Sequence, residues 1–223
     1  MFTKFLRNQG SAVSLIRLKL RYTLVFTLVF YACYGMASVL ADQLADHYRV
    51  DLAWEQSIPF IPEAAWVYHS LILLMFASVL LMRQPRDIHR LFLVLCGQVV
   101  FACIIYLLFP VQVVFPDRYA GGSLPMVFLL ADLANLKNNY LPSLHVCFAF
   151  MSAMVGALYL KRLMGMLFYI WALLIAISTM LIHEHHFADV IGGIALALAG
   201  FICFVYLQSR STAALSAAAI STE

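Results

Sequence analysis

The sequence predicts an all-α fold, a polytopic membrane protein built as a bundle of six transmembrane helices. Composition is the first reason: of 223 residues, 64% are hydrophobic and only 11% are charged. Soluble domains typically have about 45–50% apolar and about 25% charged residues, so a water-soluble globule is excluded. The other two reasons are the long uninterrupted apolar runs and the uneven placement of the few charges along the chain.

Six apolar runs of about 18–21 residues are each long enough to cross a hydrocarbon layer of ~30 Å as a helix. They are continuous rather than alternating, which favours helices over the strands of a closed barrel. In chain order the runs are Tyr22–Leu40, Ala65–Met82, Leu91–Phe109, Pro142–Leu160, Leu163–Ile182 and Phe187–Leu207.

The two ends of the chain are predicted to lie outside this membrane domain, which covers residues 22–207. Residues 1–21 form a basic amphipathic segment that suits the inner lipid surface. The Ala/Ser-rich tail 208–223 is expected to be disordered. A basic start, an apolar run and Val39-x-Ala41 would also fit a signal peptide, but the run is longer than the usual 7–15 apolar residues.

Charge placement predicts the orientation. Eleven of the fourteen Lys and Arg residues fall in the two tails and in alternate loops, and nine of the eleven acidic residues fall in the other loops. By the positive-inside rule both termini are cytoplasmic. The net charge of +3 therefore reflects sidedness and does not indicate nucleic-acid binding.

The outer loops differ in length and content. Ala41–Ala64 is acidic, and Phe109–Leu141 is the longest, with a short capped helix expected after Pro125. The five cysteines lie inside apolar runs without a CxxC pair, which is typical of helix packing. His183, Glu184 and His186 lack the i, i+4 histidine pair of a zinc-binding helix, so no metal is predicted.

Histidines mark the candidate site. Four of the seven, His145, His183, His185 and His186, map to the outer ends of the last three predicted spans. Ionisable groups at membrane depth are costly and usually functional. We therefore expect these ends to form one polar site at the outer surface.

The first cluster of the site is Pro142-Ser143-Leu144-His145. Pro142 suits the first turn of a helix, and the free N–H groups and partial positive charge of a helix N-terminus can receive phosphate. Ser143 offers a hydroxyl donor, although helix capping is an alternative role. A protonated His145 could give a proton to a leaving alkoxide.

The second cluster pairs His185 with Asp189. Residues four apart share one face of a helix, here at the start of the last span. A carboxylate in this position can hold the imidazole Nδ1–H and leave Nε2 free as a nucleophile. The alternative is a structural pair at the helix start.

Together the clusters make the sequence resemble the type-2 phosphatidic acid phosphatase superfamily of six-helix membrane enzymes. Its Pro-Ser-x-His motif is intact at Pro142–His145. Its Ser-Arg-x5-His-x3-Asp motif is present as Ser178-Thr179-x5-His185-x3-Asp189, with Thr179 in place of the arginine.

The remaining motif, Lys-x6-Arg-Pro, is reduced to Arg118-Tyr119, and Val111 occupies the lysine position. The family's phosphate-binding cations are therefore incomplete. Lys137, eight residues before His145, is predicted to substitute for them, the alternative being a solvated loop lysine.

The resemblance implies a role for each matching residue. His185 would attack phosphorus and form a phosphohistidine, Asp189 would orient His185, and His145 would protonate the leaving oxygen. Arg118 and Ser143 would hold the phosphoryl oxygens, although Arg118 could instead anchor a lipid phosphate without catalysis. The superfamily is generally metal-independent, so no cofactor is expected.

The predicted function is hydrolysis of a lipid phosphate or pyrophosphate at the outer membrane face, which in a bacterium is the periplasmic face of the inner membrane. A head-group phosphotransferase of the sphingomyelin-synthase type is the first alternative, because the same histidines serve both reactions. A non-enzymatic lipid-binding protein is the second. The expected partners are a lipid phosphate and the bilayer, and the oligomeric state is left open.

Overall fold

The computed structural model describes residues 2–115, 123–134 and 139–220, with side chains from residue 14 to residue 210 except at residue 134. Within these residues the regular secondary structure is helical, apart from an isolated bridge between Tyr48 and Val111. Two 3-10 helices, Ala53–Ser57 and Pro62–Ala64, lie between the first two α-helices, in the loop that is predicted to face outward and is called the first outer loop. The α-helices are α1 (Phe2–Asp42), α2 (Ala65–His69), α3 (Leu71–Leu81), α4 (Pro85–Leu108), α5 (Met126–Ala134), α6 (Leu144–Tyr159), α7 (Arg162–Leu181) and α8 (Phe187–Ile220).

Within the described residues, five segments are long and apolar enough to cross a membrane, and they correspond to five of the six predicted spans. They are Ser14–Asp42, Pro62–Leu81, Pro85–Leu108, Arg162–Leu181 and Phe187–Arg210. The chain is thus a helical, multi-pass membrane protein. The cytoplasmic placement of both termini stays a prediction, as does the division into domains. The backbone of residues 208–220 continues α8, where the sequence predicted a tail without regular structure.

The sixth predicted span is a shorter helix. α6 has 16 residues, which is about 24 Å of helix and less than the ~30 Å hydrocarbon layer. It begins at Leu144 because the Ser143 side chain accepts a hydrogen bond from the Val146 N–H and caps the helix. Pro142 precedes this cap, so the prediction that it occupies the first helical turn is wrong.

α6 is the central helix of the bundle. It packs against α3, α7 and α8, and its Val146, Cys147 and Met151 are completely buried. A glycine at position 156 lets α7 approach, since a Cβ there would lie 2.6 Å from the Phe168 ring. The apolar character of α6 therefore reflects burial in protein. A hydropathy pattern does not distinguish such burial from contact with lipid.

The end of the bundle that is predicted to face outward carries short elements. α2, α5 and the 3-10 helix Pro62–Ala64 share a small hydrophobic cluster that contains Tyr68, Phe128 and Ile182. α5 confirms the predicted short helix after Pro125. The Pro125 carbonyl accepts a hydrogen bond from the Phe128 N–H at the start of this helix. α2 and the 3-10 helix Pro62–Ala64 also pack against α7.

α6 and α8 are in close contact near their N-terminal ends. A Cβ at Gly193 would lie 2.5 Å from the Ser143 carbonyl oxygen, so only glycine fits this contact. The Ser143 N–H donates to the Asp189 carbonyl at 3.0 Å. The sequence clusters around residues 143 and 189 are therefore held together by backbone contacts.

Candidate active site

The structure brings the two predicted site residues His145 and His185 close together. His145 lies in the first turn of α6 and His185 lies just before α8, and their ring centroids are 6.5 Å apart. His185 is buried, whereas His145 is partly exposed. Because the starts of α6 and α8 meet here, two imidazoles from distant parts of the chain face one space.

Asp189 holds the ring of His185. The Nδ1–H of His185 points to Asp189 Oδ2 over 3.4 Å, at the long end of hydrogen-bond geometry. The same carboxylate oxygen accepts from the His186 N–H at 2.9 Å, and the side chain of Asp189 is fully buried. A proton on Nδ1 leaves the lone pair on Nε2, which is the form needed for nucleophilic attack.

Tyr68 is the partner of His145, and sequence reasoning missed it. Its hydroxyl lies 3.1 Å from His145 Nδ1, and the two rings stack with centroids 4.1 Å apart. Tyr68 belongs to α2 and is 1% exposed. It occurs within an apolar run of the sequence, and no local motif could have connected it with a histidine 77 residues away.

Ser143 lies at the site but also has the capping role that was its alternative. Its hydroxyl oxygen accepts from the Val146 N–H at 3.3 Å, and the residue is fully buried. An accepting hydroxyl still has its own proton to donate. Ser143 can therefore cap α6 and also offer a donor to a phosphoryl oxygen.

Thr179 takes the place of the family's arginine and performs a backbone role. It is fully buried, and its hydroxyl donates to the Ala176 carbonyl at 2.7 Å. Its own carbonyl accepts from the N–H groups of Glu184 and His185 at 2.9 and 3.2 Å. Thr179 thus shapes the turn that carries His185 without supplying positive charge.

The predicted cations are not part of the described geometry. Arg118 and Lys137 lie outside the described residues, so their roles stay predictions. Val111, at the position of the family's lysine, is buried in the bridge to Tyr48. Arg49, the third cation expected on the outer side, is paired with Asp51 at 2.9 Å.

The Arg49–Asp51 pair lies in the first outer loop, outside the spans. Arg49 donates from Nε and Nη2 to the two carboxylate oxygens of Asp51. These hydrogen bonds lower the pKa of the Asp51 carboxyl and raise that of the Arg49 guanidinium. Asp51 therefore stays ionised and pairs with the one described cation on the side predicted to face outward.

The other outer histidines have structural partners. The Nε2–H of His183 donates to the Ile58 carbonyl at 3.0 Å, and His186 pairs with Glu55 at 2.7 Å. Phe115 stacks on the rings of both His183 and His186. Within the described residues, no group of three or more His, Cys, Asp and Glu side chains has the arrangement of a metal site.

An apolar cavity of about 350 Å³ extends from the two site histidines. Its walls come chiefly from α1, α3, α4 and α6. Along α1 it runs from Tyr34 to Lys19, which at 1.5 Å per residue is about 22 Å. Two of its lining residues, Tyr31 of α1 and Phe76 of α3, are 61% and 43% exposed, so the cavity reaches the surface of the bundle beside these helices.

Lys19 closes the far end of this cavity. It is 8% exposed, and its ammonium donates to the Leu80 carbonyl at the end of α3 at 2.9 Å. His69, at the near end, donates from Nε2 to the Val127 carbonyl at 3.1 Å. The cavity is thus an apolar channel that begins at the polar site and extends about 22 Å, which is most of the ~30 Å hydrocarbon layer.

A protein-family model matches most of the chain. The model of the PAP2 superfamily matches residues 56–203, more than half of the chain. The match includes His145, His185 and Asp189 and begins immediately after Glu55. No curated protein sequence matches the chain.

Proposed function

Because the chain belongs to the PAP2 superfamily, we propose that it hydrolyses a lipid phosphate or pyrophosphate through a phosphohistidine. The observation that carries the proposal is the meeting of His145 with the His185–Asp189 pair at the mouth of an apolar cavity. Membership of this superfamily suggests phosphatase chemistry on lipid phosphates. The cavity adds a place for a hydrocarbon chain beside the reacting groups.

In the first step, Nε2 of His185 attacks phosphorus and the bond from phosphorus to the leaving oxygen breaks. His145 gives a proton to that oxygen, so the lipid leaves as an alcohol, or as a monophosphate when the substrate is a pyrophosphate. Asp189 stabilises the positive charge that develops on His185 and keeps the ring oriented. Tyr68 holds Nδ1 of His145, so Nε2 faces the leaving group.

In the second step, water attacks the phosphohistidine. His145, now neutral, takes a proton from the water while the phosphorus–nitrogen bond breaks. Inorganic phosphate leaves, and both histidines return to their starting states. Phosphoryl transfer depends mainly on positioning and charge stabilisation, so the fixed geometry of the two rings is the principal contribution of the protein.

Phosphate would bind at the N-terminus of α6, where backbone N–H groups and the helix dipole favour anions. The Ser143 hydroxyl adds a donor at this helix end. Arg118 and Lys137 are proposed to supply the positive charge that the departures from the family motifs remove. The charge distribution of the loops supports an outer-face location for the site.

The hydrocarbon chain of the substrate would lie in the cavity between α1 and α3. The lining is dominated by apolar and aromatic side chains, which favours an alkyl or isoprenoid chain over a soluble phosphate ester. The exposed part of the cavity beside these helices would let a lipid enter from the bilayer while its head group reaches His185. Substrate selection would therefore depend on both ends of the lipid.

The test is phosphate release by purified protein in detergent, with EDTA present and a panel of lipid phosphates and pyrophosphates. His185→Ala and His145→Ala are expected to abolish turnover, and wild-type protein should trap a radiolabelled phosphohistidine that is stable to alkali. His89→Ala is the matched control, since His89 contacts Tyr22 near the opposite end of the bundle. Full activity of His185→Ala would disprove the mechanism.

A phosphotransferase is the second candidate. Thr179 in the arginine position and the sequence His-Glu-His-x-x-x-Asp resemble the sphingomyelin-synthase branch, which also relaxes that arginine. In this reaction a lipid alcohol replaces water in the second step. Ceramide or diacylglycerol supplied with a phospholipid donor would then give a new phospholipid without free phosphate.

Lipid binding without turnover is the outcome that would support a non-enzymatic protein. Lipid binding that is unchanged in His145→Ala and His185→Ala, with no product from any lipid of the panel, would identify this case. The proposed enzyme instead predicts binding with loss of turnover in both variants.

A further inference from the structure

Glu55 is a buried acid that connects the first outer loop to the start of α8. It lies in the 3-10 helix Ala53–Ser57 and is 0% exposed. Its carboxylate accepts from the Leu52 N–H at 2.9 Å, the Phe187 N–H at 2.6 Å and Nδ1 of His186 at 2.7 Å. A carboxylate removed from water requires such partners, and here three donors surround it.

The hydrogen bonds of His186 define its protonation. Nε2 of His186 accepts from the Val114 N–H at 3.0 Å. A backbone amide can only donate, so Nε2 carries the lone pair and the ring proton is on Nδ1. His186 is therefore neutral and donates to Glu55, and Glu55 is the ionised member of the pair. Phe187 begins α8, where the helix dipole stabilises this negative charge.

This pair joins three segments that approach the candidate site. Glu55 belongs to the first outer loop, His186 is adjacent to His185, and Val114 lies four residues before Arg118. The His186 N–H also donates to Asp189 Oδ2, the oxygen that faces His185. A displacement of His186 would therefore move the backbone that positions the proposed nucleophile and its carboxylate.

We propose that Glu55, acting through His186, is a positioning residue for the reaction, an inference that rests on the proposed function. Glu55 contacts neither His185 nor His145 in the described hydrogen bonds, so its effect is indirect. It fixes the start of α8 and the 110–115 segment relative to each other. Without Glu55, the proposed nucleophile and the segment that leads to Arg118 would no longer be held in fixed positions relative to each other.

The pair lies partly outside the region by which the family is recognised. The match to the family model begins at residue 56, so Glu55 falls just before it. In the sequence, Glu55 is one of several acids of the outer loop and has no motif around it. Only the folded chain shows that this acid, rather than Asp51 or Glu63, is completely buried.

Glu55→Gln tests the proposal with almost no change in side-chain volume. The amide offers one accepting oxygen and one donating nitrogen, so at least one of the three donors facing it loses its acceptor. Misplacement of reacting groups by about 1 Å can cost on the order of 10²-fold, so we expect a fall of about that size in kcat with KM little changed. Glu63→Gln, the same change at an exposed acid of the same loop, should retain wild-type kcat.

His186→Ala examines the same link from the other side. Residues that act through one contact are not independent, so the loss in the double variant should be much smaller than the product of the single losses. Multiplicative losses would show that the two residues act separately and would overturn the proposal. If Glu55→Gln does not fold, kcat of His186→Ala tests the same contact.

Hydrogen exchange supplies a measurement that does not depend on turnover. In Glu55→Gln, peptides containing Val114 and Phe187 should exchange faster, while those of α4 and α7 remain as in the wild type. Unchanged exchange at both sites would overturn the positioning role, as would wild-type kcat in Glu55→Gln. Absence of turnover in the wild-type protein would instead refute the proposed function. The exchange data would then still test whether Glu55 holds the start of α8 and the 110–115 segment together.

Discussion

Replacing Gly193 with alanine is expected to slow phosphate release by about 10²-fold. The new Cβ would lie 2.5 Å from the Ser143 carbonyl oxygen, 2.9 Å from Val146 Cβ and 3.3 Å from the Cys147 nitrogen. Ordinary van der Waals contact begins near 3.4 Å, so the start of α8 must move about 0.9 Å from α6. A misplacement of about 1 Å between reacting groups costs on the order of 10²-fold.

The obstacle is backbone, and it cannot be relieved by a change of rotamer. Two of the three nearest atoms belong to the main chain at the start of α6, close to His145. The same movement lengthens the 3.0 Å hydrogen bond from the Ser143 N–H to the Asp189 carbonyl. The separation between the two proposed catalytic histidines is thus the quantity that the substitution alters.

The assay is kcat for phosphate release in detergent micelles, with thermal unfolding followed in parallel. Overpacking typically costs about 1–3 kcal/mol, so a moderate loss of stability is expected as well. Gly97→Ala is the matched control, because its Cβ meets nothing within 4 Å and the change lies within α4. Wild-type kcat in folded Gly193→Ala would refute the argument that the contact between α6 and α8 positions the site.

Three further changes test other contacts. Tyr68→Phe removes the hydroxyl beside His145 and should lower kcat by about fivefold, the value of one hydrogen bond of ~1 kcal/mol; wild-type kcat in the folded variant would argue against a role for Tyr68. Gly156→Ala forces a Cβ into the Phe168 ring and should destabilise the protein by about 1–3 kcal/mol in thermal unfolding without altering KM. Lys19→Ala lengthens the cavity, so kcat/KM should shift toward longer-chain lipids in a chain-length series; the same preference as in the wild type would exclude Lys19 as the end of the chain site.

The site was predictable to the extent that its chemistry is local in sequence. His185 and Asp189 are four residues apart, so helix geometry alone indicates their contact. His145 and its preceding Pro-Ser form a compact motif, and both clusters map to span ends on the same predicted side. Their convergence therefore followed from charge placement and topology, without any knowledge of tertiary packing.

The parts that escaped prediction depend on long-range contacts. Tyr68 reaches His145 across 77 residues, and Glu55 reaches His186 across 131, so neither pair has a local pattern. The length of α6 escaped for another reason. Its apolar run continues to residue 160, but the capping bond to Ser143 begins the helix two residues later than Pro142.

The exposed cavity lining on α1 and α3 has a kinetic consequence. If the chain of the substrate enters there, the protein meets its substrate by lateral diffusion within the bilayer, and the relevant concentration is a mole fraction among lipids. Apparent affinity would then change when inert lipid or detergent dilutes the substrate at constant bulk concentration. The lipid product would leave by the same route and remain in the membrane, while phosphate would be released into water. The two products would therefore be separated as they leave the protein.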